Sequence, residues 1–154
     1  MLAILQRVRS ASVTADGEPF SACGRGFLIL LGVSVEDTEE DARLLSEKIA
    51  KLRVFQDEAG KMNRSVCDIG GEVLVVPNFT LYASYKKGNR PDFLMSAPPE
   101  RAEGLFAYFC EYIGTLVPSV CRGKFRADMQ VSLVNDGPVT IPMDSRVLKG
   151  ERSI

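Results

Sequence analysis

"GFLILLGVSVEDTEEDARLLSEKIAKLRVF", residues 26–55, changes its hydrophobic period halfway. The run Phe27–Val33 is continuously apolar and only of strand length, which predicts a central strand buried on both faces. From Glu36 the apolar residues thin out to Ala42, Leu45, Ile49 and Leu52, one face of a helix. Asp37 or Thr38 can cap that helix, and Glu39, Glu40 and Asp41 load its first turn with negative charge. A buried strand followed by a one-faced helix predicts a mixed α/β domain.

Moving outward, residues 2–8 alternate as a strand, and "ADGEP" supplies a turn at Asp16-Gly17. "DEAG" (57–60) is a turn, "EVLVVPNFTLYA" (72–83) a strand, and "SYKKGNRPD" (84–92) a basic loop. Pro98 and Pro99 open a second helix running to about Leu116, with Ala102, Leu105, Phe106, Phe109 and Ile113 as its apolar stripe. "ADMQVSLVND" (127–136) reads as a strand, Gly137-Pro138 as a turn, and "VTIPM" (139–143) as a short last strand. The fold class expected is α/β: mostly antiparallel strands with two packed helices, in a single domain over 1–146. Residues 147–154 are expected to form a polar C-terminal tail that frays.

Composition removes several function classes. The 19 basic and 20 acidic residues nearly cancel, so any anionic partner has to be met by a local patch. There is no histidine, the commonest general base near neutral pH and the commonest zinc ligand. Cys23, Cys67, Cys110 and Cys121 form no Cys-x-x-Cys pair and read as reduced, mostly buried thiols. Neither a metal nor a cofactor is expected. The N-terminus lacks the layout of a signal peptide, and no apolar stretch has the length of a membrane span. The expectation is a cytoplasmic protein with no membrane partner.

Two stretches stand out for chemistry. In "VVPNFTLYA" a proline removes a ladder hydrogen bond, so Pro77 marks an edge, a bulge or the strand's exit to a site. Asn78 and Thr80 alternate with Phe79, and either they are ordinary surface polars or they project together into a site. Thr80 makes a poor nucleophile, because nothing near it in sequence supplies an activating base. "NDGPVT" (135–140) is either a plain hairpin turn or an unusual backbone. With Gly137–Pro138 cis, two carbonyls can point the same way and accept hydrogen bonds from an ammonium group. Lys86, Lys87 and Arg90 form one cationic cluster, and Arg122, Lys124 and Arg126 a second. Each suits a solvated loop or a phosphate backbone.

Taken together, "LQRV", "KIAKLRVFQDEAGKMN", "VLVVPNFTLYA", "KKGNRPDF" and "ADMQVSLVNDGPVT" resemble the D-aminoacyl-tRNA deacylases, also called D-tyrosyl-tRNA deacylases. The likeness runs from the first strand to about Ser145. It implies a barrel-like sheet, a homodimer with active sites at the subunit interface, tRNA as the partner, and no role for DNA. It further implies that Phe79, Thr80 and Leu81 of one subunit face Gly137, Pro138, Val139 and Thr140 of the other. The cis turn receives the α-ammonium of the D-amino acid and rejects an L side chain sterically, while glycine passes. Backbone N–H groups of Phe79 and Thr80 stabilise the oxyanion, and the ribose 2′-hydroxyl assists the attack. Substrate contacts are implied for Asn78 and Met129, a bracing role for Arg7 beneath the turn, and tRNA phosphate contacts for Lys86, Lys87 and Arg90.

Three positions depart from the family pattern. Pro77-Asn78 stands where Ser-Gln is usual, which puts the glutamine's contact in doubt, and Arg126 stands where glycine is common. A related group that removes mischarged L-alanine carries Pro-Gln at the first pair but a trans Gly-Pro bond. "NDGPVT" and Arg7 follow the D-specific pattern. A relaxed L-alanyl editor and a catalytically inactive nucleic-acid-binding relative are the alternatives.

Overall fold

A central strand, buried at every residue but Leu30, organises the molecule, whose computed structural model describes residues 1–151. The chain runs β1 (Leu2–Ala15), β2 (Glu18–Cys23), β3 (Gly26–Gly32), α1 (Glu39–Lys51), β4 (Phe55–Gln56), β5 (Met62–Arg64) and β6 (Glu72–Pro77). A 3₁₀ turn over Phe79–Tyr82 follows, then α2 (Pro99–Gly114), β7 (Ser119–Arg122), β8 (Met129–Asp144) and α3 (Ser145–Leu148).

One sheet carries the fold in the order β2-β1-β3-β6-β7, with β8 along the other edge of β1. The long β1 meets β3 through its first half and β2 through its second. Its opposite edge is taken by β8 along the whole length. Asp16 and Gly17, with φ of 51° and 84°, make the tight β1–β2 turn that the Asp-Gly pair predicts. The β3–β6 and β6–β7 pairs are parallel. Parallel neighbours need a long crossover, and α1 and α2 lie within those two crossovers. The sheet curls until the Ser21 hydroxyl of β2 donates to the Arg122 carbonyl of β7 at 2.7 Å. The result is a nearly closed, barrel-like α/β fold with three helices among the described residues.

Alternation along β3 and β6 explains why both strands look continuously apolar. Phe27, Ile29, Leu31, Val73 and Val75 join a core with Leu45 and Ile49 of α1 and Phe106, Phe109 and Ile113 of α2. Leu28, Leu74 and Val76 turn the other way, into a second core with Val8 and Val13 inside the barrel. At the start of α1 the Thr38 N–H donates to Asp41 Oδ2 at 2.9 Å, half of a capping box.

Several expectations change. "EVLVVPNFTLYA" is not one strand: β6 stops at Pro77 and the chain coils into the 3₁₀ turn. "NDGPVT" does not reverse the chain, because residues 129–135 and 140–144 belong to one strand on the same partner. The expected tail begins as α3, and Lys149 Nζ lies 2.9 Å from Asp41 Oδ1. The rest of that tail, 152–154, lies outside the described residues. No helix among the described residues is long and apolar enough to cross a membrane.

Candidate active site

The end of β6 opens a site because the sheet stops there. Asn78 makes one last rung, its N–H donating to the Leu31 carbonyl at 2.8 Å. The chain then coils: the Leu81 N–H turns back to the Asn78 carbonyl at 3.4 Å and the Ala83 N–H to the Thr80 carbonyl at 3.0 Å. The first N–H groups of any helical turn have no acceptor within it. Among the described residues, the N–H groups of Phe79 and Thr80 donate to nothing. Both residues are solvent-exposed. The Thr80 hydroxyl donates to Asn78 Oδ1 at 2.5 Å, and Ser96 Oγ donates to the Phe79 carbonyl at 2.9 Å. These bonds hold the turn and use neither of the two amides.

The turn borders a cleft of about 840 Å³. Pro77, Asn78, Phe79 and Thr80 form one wall, Phe93 and Ala97 another, and Arg126 and Met129 a third. Phe79 and Phe93 meet edge-to-face, centroids 5.1 Å apart, an arrangement aromatic rings favour. Gly123 lets the third wall close: a Cβ there would stand 2.9 Å from Met129 Sδ and 3.1 Å from Pro77 Cδ. The cleft contains no cysteine, and burial pushes the thiols of Cys23 and Cys110 up to about 11 and about 12. Burial, then the charge of Asp37, likewise raises the Tyr82 phenol above its ordinary value.

The second stretch lies outside that cleft. β1 and β8 pair Gln6 with Thr140 and Val8 with Asn135, so residues 136–139 bulge out opposite Arg7 alone. The Gly137–Pro138 bond is cis, and both residues are exposed. Gly137 has φ +132°, a region that side chains rarely adopt. A Cβ on it would stand 2.9 Å from the Val139 nitrogen and 3.3 Å from Arg7 Nη2.

Arg7 follows Ala3 and Leu5 on the helix-packed side of β1, which carries its head under the bulge. It is buried, with Nε donating to the Asp136 carbonyl at 3.0 Å and Nη1 to the Val54 carbonyl at 2.6 Å. Asp136 Oδ2 lies 3.7 Å from Nε and balances the charge. Asn135, which the sequence did not single out, donates from Nδ2 to the Arg7 carbonyl at 2.9 Å and to the Val139 carbonyl at 3.0 Å. Its amide thus ties the two ends of the bulge together.

The structure therefore brings Asn78, Phe79, Thr80 and Met129 to one cleft. Within one chain it does not bring Gly137, Pro138, Val139 or Thr140 to that cleft. Lys86, Lys87 and Arg90 are exposed on the adjoining loop, closed by the Ser84–Asp92 bridge, and do not line the cleft either. No three His, Cys, Asp or Glu side chains gather into a metal-holding group among the described residues.

Known proteins match nearly the whole chain. The family model for D-Tyr-tRNA(Tyr) deacylase matches residues 4–144. A D-aminoacyl-tRNA deacylase from Roseiflexus castenholzii is 54% identical, with 99% of this chain and 98% of the relative covered. One from Chlorobaculum parvum is 55% identical over 94% and 98%. A solved structure described as "c-Myc DNA Unwinding Element Binding Protein" is 48% identical, with a TM-score of 0.87 over 94% of this chain and 98% of that one. A probable eukaryotic D-amino acid tRNA deacylase, 15% identical, shares the fold with a TM-score of 0.77 over 92% and 97%.

Proposed function

Because the chain belongs to the D-Tyr-tRNA(Tyr) deacylase family, it is a hydrolase of the D-aminoacyl-tRNA deacylase type, and we propose how its residues do that work. The substrate is a D-amino acid esterified to the terminal ribose of tRNA. The observation that carries the reading is the pair of unpartnered N–H groups on Phe79 and Thr80 at the mouth of the cleft.

Hydrolysis of the ester puts negative charge on its carbonyl oxygen as water adds. Two fixed amides there stabilise that charge without reorganising, and one such donor is typically worth about 2.7–4 kcal/mol. The chain has no histidine to activate the water. The ribose 2′-hydroxyl, already beside the ester, fills that part and makes the reaction specific for RNA. The carbon–oxygen bond to the ribose then breaks, giving free D-amino acid and tRNA. Met129 borders the terminal nucleoside, Asn78 the amino acid, and Lys86, Lys87 and Arg90 the phosphates.

Selectivity is assigned to the bulge of a second subunit in a homodimer. The carbonyls of Gly137 and Pro138 accept the α-ammonium, and Val139 and Thr140 complete the wall. Arg7, through its bond to the Asp136 carbonyl, braces that wall. An L side chain presented in this way runs into the turn, whereas many D side chains point out of it, and glycine passes. What supports a partner's contribution is that the bulge and the cleft of one chain are not contiguous. The proposed setting is the cytoplasm, where aminoacyl-tRNA is used.

The test is a paired time course on D-Tyr-tRNA and L-Tyr-tRNA over a range of enzyme concentrations. Loss of the D-ester alone is expected. Loss of both sinks the chirality argument, and loss of neither sinks the hydrolase.

A further inference from the structure

Arg126 is out of place by the rules of backbone sterics. Its φ is +64°, left-handed, and only one other non-glycine among the described residues, Asp16, shares that region. Asp16 is tied to Asp128, two residues beyond Arg126. The Asp16 N–H donates to the Asp128 carbonyl at 2.8 Å, and the Asp128 N–H to Asp16 Oδ1 at 3.0 Å. Asp16 belongs to the β1–β2 turn, where an Asp-Gly pair is at home. Arg126 has no such excuse: glycine would take this conformation without steric cost. A residue kept against its backbone preference is a reason to ask what its side chain does.

The side chain is exposed, lines the cleft, and makes no ion pair with any described residue. The backbone two residues on is held at Asp128, whose N–H donates to Asp16 Oδ1. The same cleft is lined by Phe79, Thr80 and Met129, the proposed ester and nucleoside contacts. A planar cation with five donors on the wall of a cleft that takes a 3′-nucleotide matches a phosphodiester oxygen pair better than any neutral group. Resting on the deacylase reading, we propose that Arg126 binds the phosphodiester immediately preceding the aminoacylated nucleotide, anchoring the single-stranded end of the substrate in the cleft.

The test compares wild type, R126G and R126K on two substrates, D-Tyr-tRNA and D-tyrosyl-adenosine, which carries the ester but no phosphate. Binding of uncharged tRNA is measured alongside at several salt concentrations. R126G suits the left-handed backbone, so its melting temperature should not fall. It should lose about tenfold in kcat/KM on D-Tyr-tRNA, equivalent to about 1.4 kcal/mol. It should keep its rate on D-tyrosyl-adenosine. Its tRNA affinity should fall with salt less steeply, by about 0.7 in the logarithmic slope for one lost single-strand phosphate. R126K should recover part of both losses. Equal losses on the two substrates, or tRNA binding untouched by R126G, overturns the contact whatever the activity. Wild-type protein inert toward both esters while R126G still weakens tRNA binding overturns the deacylase reading and leaves the contact standing.

Discussion

The 3₁₀ turn at Phe79–Tyr82 and the bulge at Asp136–Val139 are both irregular backbone at the end or edge of a β-strand, yet they are held in opposite ways. The turn follows directly from the end of β6, and its first two N–H groups have no acceptor among the described residues. The bulge sits inside β8 with ladder on both sides, gripped by Arg7 from below and by Asn135 across its neck. One region keeps its backbone donors free. The other has its shape over-determined by side chains bonded to backbone carbonyls of the same chain. That division suits a site in which one wall reacts and the other measures: a measuring surface has to be stiff, and a reacting one needs unspent hydrogen bonds.

The largest blow to the stiff half comes from Gly137→Ala. The residue sits at φ +132°, and the added carbon would press against the Val139 nitrogen, which is backbone and cannot swing aside. Strain of this kind costs about 1–3 kcal/mol. The displaced wall should lower D-Tyr-tRNA hydrolysis about 10²-fold. Urea denaturation and the deacylation rate measure the two effects together. A variant as stable and active as the parent would mean that the bulge has no rigid role.

Arg7→Lys strikes the same half from beneath and should do less. A single ammonium cannot replace a fork that reaches the Asp136 and Val54 carbonyls at once. One buried carbonyl is left without a donor, at a cost of about 1–3 kcal/mol. The sharper reading is the ratio of kcat/KM on D-Tyr-tRNA to that on L-Tyr-tRNA. It should narrow while the D-ester rate falls only modestly. An unchanged ratio would remove Arg7 from the selectivity argument and leave it a buried structural arginine.

Arg7 also marks the limit of what the sequence could say. Phe27–Val33, the stripe of α1 and the stripe of α2 were legible because their signals are local: burial on two faces, or on one, leaves a period. Partners far apart in sequence leave no such trace. The parallel pairing of β3, β6 and β7 went unread, as did β7 itself, four residues long. Turn-forming residues declare a backbone preference but not whether the chain reverses, so "NDGPVT" stayed open between a hairpin and an unusual backbone, and it is a bulge with a cis bond. Pro77 did announce the strand's exit. Asn135 gave no warning, since an asparagine before a turn is ordinary and only the fold puts Arg7 and Val139 carbonyls within its reach. For Arg7 the family resemblance implied a brace beneath the turn, whereas the alternating strand by itself gave no hint of it, because its acceptors on Asp136 and Val54 lie 129 and 47 positions away.

The smallest expected effect is the one that tests the reacting half. Thr80→Val removes the hydroxyl and its 2.5 Å bond to Asn78 Oδ1 but leaves the Thr80 N–H in place. Valine has nearly the same shape, and the lost bond is exposed, so water can replace it at a cost of about 0.5–1.5 kcal/mol at most. If the chemistry rests on the two backbone donors, D-Tyr-tRNA hydrolysis should stay within about tenfold of the parent. A threonine nucleophile makes the contrary demand, since no acyl-enzyme can form without the oxygen. A loss of many orders of magnitude in T80V, with the fold intact by circular dichroism, would therefore transfer the chemistry from backbone to side chain. It would also raise the question of what base could serve Thr80, whose only side-chain partner in the structure is the uncharged amide oxygen of Asn78 among the described residues.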